Sequence, residues 1–178
     1  MTAPYRSAEV RWFGRGEIPD EVEAWFGGLA PDGPEPDTET RTDRYLAPSS
    51  DALGVKLREG LVEAKRREST LGTLAVGGAR AEAEVWVKWS FELAEDVEGL
   101  GDEWIAVAKS RRQRHADGCA LELSRLELDG EAWWSVCVEA SGPSPESALA
   151  DAALQWLATA PPLPASQARG YPAWLRIR

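Results

Sequence analysis

Apolar and polar residues alternate with a period of two over most of the chain, the pattern of strands whose two faces meet different surroundings. In residues 5–13, Ala8, Val10 and Trp12 fall on one face and Ser7, Glu9 and Arg11 on the other. In residues 84–93, Val85, Val87, Trp89, Phe91 and Leu93 oppose Glu84, Trp86, Lys88, Ser90 and Glu92. Weaker versions of the pattern predict strands at 42–46, 54–58, 61–65, 104–112, 119–128 and 133–141, about eight in all. Glu59-Gly60 is a two-residue hairpin loop in length. Two stretches read as loops: 29–40, which carries Pro31, Pro34 and Pro36, and the Gly-rich 69–81. Helical spacing replaces alternation twice. Ile18, Val22, Trp25 and Phe26 share one face before Gly27-Gly28, and Leu149, Ala153, Trp156 and Leu157 form a stripe after Ser144-Pro145 and before Pro161-Pro162. Residues 171–177 carry too little pattern to assign.

The polar faces of the strands hold the candidate chemistry. In order they are Ser7/Glu9/Arg11, Lys56/Arg58, Glu63/Lys65, Glu84/Lys88, Lys109/Arg111, Glu122 and Glu139. An antiparallel sheet with one wet face collects charges of both signs, so an acidic scaffold with its charges in water is one reading. Closure into a barrel is the other: it removes the exposed edges and turns the same faces onto a common interior. The fold class expected is therefore α+β, an antiparallel eight-stranded β-barrel with a few flanking helices. Buried Arg and Lys on several walls call for an anionic occupant. Phosphate suits them, since Arg offers paired planar donors and Lys a point charge. Interspersed carboxylates call for a divalent cation, Mg²⁺ or Mn²⁺, between them and the phosphate.

Length and charge narrow the classes. The 178 residues match a single domain, 1–178, and no run is long and apolar enough to span a membrane. Residues 1–10 have neither the basic nor the apolar part of a secretion signal, so a cytoplasmic location is expected, with Cys119 and Cys137 reduced. A net charge of −10 disfavours broad nucleic-acid binding. The expected partner is a small polyanion, with no membrane and with the chain a monomer or a homodimer. No GxxxxGK[ST] or GxGxxG is present, and His115 is the only histidine, so P-loop, dinucleotide and His-based catalytic sites lack their parts. The runs Lys65-Arg66-Arg67 and Arg111-Arg112-Gln113-Arg114 are solvated strand ends or the positive rim of a cavity.

In order and spacing these segments resemble the CYTH domains, or triphosphate tunnel metalloenzymes, from about Ser7 to Leu175. Ser7-x-Glu9-x-Arg11 is similar to the ExExK signature, Asp43-Arg44-Tyr45 to an Asp-x-Tyr segment, and Lys56-x-Arg58 to an R-x-R pair. Lys65 falls at a lysine position, Lys109-x-Arg111 matches K-x-R, and Glu139-Ala140-Ser141 is similar to a late ExE. The departures are Ser7 and Ser141 where the family carries glutamates. An aspartate of the family corresponds to Ser124 or Glu127.

The resemblance implies triphosphate binding and metal-dependent hydrolysis in a tunnel. Arg11, Lys56, Arg58, Lys65, Lys88, Lys109 and Arg111 would hold phosphates, and Lys65 and Glu139 would be the catalytic pair. Glu9 and Glu139, supported by Glu63, Glu84 and Glu122, would ligate the metal. The alternative is the same tunnel holding a phosphorylated ligand without turnover.

Overall fold

The computed structural model describes residues 4–30, 34–93 and 101–177. Pro31 of the expected loop lies outside them. Eight antiparallel strands close a barrel in the order β1-β5-β4-β3-β2-β6-β7-β8. They are β1 (Tyr5–Arg15), β2 (Glu39–Leu46), β3 (Leu53–Arg58), β4 (Leu61–Val76), β5 (Ala79–Glu92), β6 (Trp104–Ala116), β7 (Cys119–Leu128) and β8 (Glu131–Ser141). Helices α1 (Asp20–Gly28), α2 (Pro145–Leu157) and the short α3 (Tyr171–Leu175) complete the fold.

The barrel is apolar on much of its outside and charged within. Ala8, Val10 and Trp12 of β1, Leu121 and Leu123 of β7, and Val136 and Val138 of β8 pack outward against Val22, Trp25 and Phe26 of α1 and Leu149, Ala153, Trp156 and Leu157 of α2. Helix periodicity on one side and strand periodicity on the other supply matching apolar faces, so the outward residues are the buried core. The close fit shows at Gly14, where a Cβ would lie 2.2 Å from the Trp134 ring.

Inward residues change character along the barrel axis. At one end Phe13, Tyr45, Ile105, Val107, Leu126, Leu128 and Trp133 meet Trp174 and Leu175 of α3 in a second apolar cluster. The Phe13 ring stacks on Trp174 at 4.6 Å, and Tyr45 stacks on Tyr171 at 5.2 Å. The segment leading into α3 fills a gap in the wall. β1 pairs with β5 only over Tyr5–Glu9. Beyond that point Ala168 bridges Trp12, and the Arg169 N–H donates to the Arg11 carbonyl at 2.9 Å.

Two expectations are corrected. Residues 69–81 are not a loop: β4 and β5 continue through them as a long hairpin, with irregular register between Arg67/Ser69 and Thr70/Gly72. Of the glycines that suggested a loop, Gly77 and Gly78 make its turn and Gly72 sits at a register irregularity. Gly77, at φ 53°, lies so close to the end of α2 that a Cβ would meet the Leu157 carbonyl oxygen at 2.4 Å. The unassigned tail forms α3, whose aromatic residues fill the barrel end.

Candidate functional site

The charged part of the barrel interior holds a cavity of about 150 Å³, lined among the described residues by eight cationic side chains and five carboxylates. The cations are Arg11, Arg41, Lys56, Arg58, Lys65, Lys88, Lys109 and Arg111; the acids are Glu9, Asp43, Glu63, Glu122 and Glu139. A chain of net charge −10 thus gathers more cations than acids around one cavity, with Glu39 pairing Arg41 and Arg111 from just outside the lining. Alternation explains how they meet: on each strand the residues at i and i+2 point into the lumen, and the antiparallel registers set them side by side.

Three groups of ion pairs organise the walls. Glu122 accepts from Lys109 Nζ at 2.8 Å, Arg11 Nη1 at 3.0 Å, Arg111 Nη1 at 3.2 Å and Gln113 Nε2 at 3.2 Å. Across the lumen Glu63 lies 3.0 Å from Lys56 Nζ, 3.1 Å from Lys88 Nζ and 3.7 Å from Arg58, and Lys56 also reaches Asp43 at 3.5 Å. Arg41 Nε and the Tyr45 hydroxyl donate to Asp43 at 3.0 and 3.3 Å. Between these groups Lys65 Nζ donates to Glu9 at 2.6 Å and stands 3.8 Å from Glu139.

Burial and pairing compete in setting the proton affinities. Burial alone would raise the Glu63 carboxyl, but Lys56, Lys88 and Arg58 hold it down at about 2. Desolvation likewise opposes the charged form of Glu122, and Lys109 and Arg11 outweigh it, leaving the group well below the usual range. For Lys65 desolvation favours loss of the proton, while Glu9 and then Glu139 retain it, so its affinity rises. Lys56 goes the other way, with burial dominating and its proton held less firmly than usual. The wall is therefore built of ionised pairs.

No protein-family model and no curated protein matches the chain. Solved structures do. A conserved hypothetical protein from Pyrococcus furiosus superposes with a TM-score of 0.51 at 17% identity, over 94% of this chain and 98% of that one. That agreement spans the whole closed barrel. The chain shares that structure's fold, a closed eight-stranded antiparallel barrel. A Pyrococcus horikoshii protein aligns at 0.49 and 16% identity over 96% and 99% of the two chains. The S. pombe RNA triphosphatase Pct1, in complex with the Spt5 CTD, aligns at 0.48 and 12% identity over 83% and 73%.

Within this barrel all seven cations expected from the sequence line the one cavity, as do Glu9, Glu63, Glu122 and Glu139. Glu84 does not. It pairs with Arg67, accepts from Trp86 Nε1 at 3.1 Å, and lines a second groove with Arg169 and Arg176, which shares Arg11 with the cavity. Arg41, Asp43 and Tyr45 complete the wall. Asp43 and Tyr45 belong to the Asp-x-Tyr segment of the resemblance, which gave them no site role; Arg41 was hidden because the strand starts at Glu39, inside the expected loop. Tyr171 was also missed. Its ring lies under Arg11 at 4.9 Å and Lys109 at 5.6 Å, and nothing in its local sequence announces that position.

A divalent cation needs carboxylate oxygens that converge and are not already occupied by donors. Among the described residues no three ligating side chains gather around a point. Glu122 and Glu63 are surrounded by N–H donors, Glu84 is turned to Arg67, and the facing pair Glu9 and Glu139 has Lys65 against it. As arranged, this donor set does not fit Mg²⁺ or Mn²⁺. No helix among the described residues is long and apolar enough to cross a membrane.

Proposed function

We propose that the tunnel binds a small linear polyanion, either inorganic triphosphate or the triphosphate tail of an organic or nucleoside triphosphate. The observation that carries this reading is the convergence of eight cationic side chains, among the described residues, on one cavity of an acidic chain, against five lining carboxylates. Buried charge without a counter-charge is costly, and a polyphosphate supplies it. Among the described residues, three cavity-lining donors, Arg11 Nε, Arg58 Nε and the Tyr171 hydroxyl, are buried without a hydrogen bond, Arg58 Nε standing 3.7 Å from Glu59. Phosphate oxygens satisfy such groups, with Lys56, Lys65, Lys88, Lys109 and Arg111 completing the grip. A cavity of about 150 Å³ is in the range that holds one benzene-sized molecule, so it takes part of a polyphosphate chain and leaves the remainder, with any organic part, outside.

The acids favour holding over metal-dependent turnover. Water activation by Mg²⁺ or Mn²⁺ draws on free carboxylates, and here each is engaged by a cation. Thermal melting with tripolyphosphate, pyrophosphate and sulfate tests the binding claim. Tripolyphosphate at about a hundredfold excess over Kd is expected to raise Tm by about 5–10 °C. No shift with any of the three overturns the reading. Phosphate release, measured with and without Mn²⁺, then tells whether Lys65 and Glu139 act as a catalytic pair or only as part of the binding wall.

A further inference from the structure

Glu9 and Glu139 are direct cross-strand partners on β1 and β8, and both project into the lumen. Carboxylates placed abreast in a low-dielectric interior repel each other strongly unless a cation lies against them. Lys65, reaching in from β4, provides it: its ammonium is 2.6 Å from Glu9 and 3.8 Å from Glu139. The Trp86 ring, 5.4 Å from the same nitrogen, backs it from another side. The next inward pair along the ladder is Ser7 opposite Ser141, which adds no charge. Glu84, opposite Glu9 on the other neighbouring strand, is drawn off by Arg67. Two carboxylates with one ammonium already between them make a filled cation position, and a divalent ion brought there would meet the ammonium's repulsion.

We propose that Lys65 takes, as a fixed ammonium, the position a divalent cation would occupy between Glu9 and Glu139, so that the tunnel binds its polyanion without metal and becomes a metal site only when Lys65 is removed. The phosphate arm of this inference rests on the polyanion reading above; the metal arm does not. With Lys65 replaced by a neutral side chain, the facing carboxylates are left with unbalanced charge and free oxygens, the donor set that Mn²⁺ takes.

The test begins with Mn²⁺ alone, followed by calorimetry and by the loss of its free paramagnetic resonance signal. The full chain is compared with Lys65→Ala and with Lys65→Met, which keeps most of the buried stem if the alanine variant melts early. The wild type is expected to show no saturable Mn²⁺ binding in the tunnel. Either folded variant is expected to bind one Mn²⁺ at least about tenfold more tightly, and Glu139→Gln in that background to abolish the gain.

Tripolyphosphate is then titrated in EDTA and in Mn²⁺. Wild-type affinity should agree within about twofold between the two buffers, and Lys65→Met should lose about tenfold in EDTA and recover it in Mn²⁺. Saturable Mn²⁺ binding by the wild type, wild-type tripolyphosphate binding that disappears in EDTA, or folded variants that take up no Mn²⁺ would each overturn the proposal. Absence of tripolyphosphate binding in both buffers would instead remove the polyanion reading, and the Mn²⁺ titration would still decide the role of Lys65.

Discussion

Arg11 and Glu122 sit on strands β1 and β7, which are not neighbours, yet their side chains meet across the barrel interior at 3.0 Å with both residues nearly excluded from solvent. The bond ties one wall to another. It also fixes the guanidinium whose Nε is left without a partner.

Removing the carboxylate from that junction should be damaging, because Lys109 and Arg11 would then lose their ion pair, with only Arg111 keeping one, to Glu39. Glu122→Ala is expected to cost about 3–5 kcal/mol, the range for breaking a buried ion pair from one side. Urea denaturation reads this directly. Saturating tripolyphosphate should restore more stability to the variant than it adds to the wild type, and equal increments would show that the ligand does not reach these cations.

Acid should unfold the barrel over a defined range. The Glu63 carboxyl is at about 2 in the folded chain against an ordinary 4.5, and Glu122 is lowered in the same direction. The folded state therefore prefers the ionised forms, and their contribution is complete above about 4.5 and is lost as pH falls toward 2. Tm measured across that interval should fall steadily, and Glu63→Gln should make the slope shallower.

Lys56→Ala and Arg58→Ala remove cations from the wall opposite Glu122. Each is expected to weaken tripolyphosphate binding by about tenfold, the scale of one charged hydrogen bond. Calorimetry at rising salt should show wild-type affinity declining, with a smaller decline in each variant. Unchanged affinity in both would place the ligand elsewhere.

At the apolar end, Trp174 is fully buried between Phe13, Trp133 and Tyr171. Trp174→Ala is expected to cost about 3–5 kcal/mol by transfer and cavity effects together. A midpoint in urea close to that of the wild type would show that α3 packs only loosely.

The barrel was legible because alternation is a local property. Ser7, Glu9 and Arg11 against Ala8, Val10 and Trp12 declare two environments within a few residues, and seven of the eight lumen cations follow from that rule. What was hidden depends on distant partners. The glycines near Gly77 read as loop because the sequence does not say that the end of α2 presses on a hairpin turn there. Glu84 alternates like its inward neighbours, and Arg67, across the β4–β5 ladder, together with Trp86 Nε1 holds its carboxylate away from the cavity. Tyr171 belongs to a five-residue helix, too short to carry periodicity, and its place under Arg11 is set by the packing of Trp174 and Leu175.

The ring cluster contributed by α3 stoppers one end of the barrel with aromatic side chains. On the proposed reading, a phosphate chain entering the charged half would run up against that stopper instead of passing beyond it.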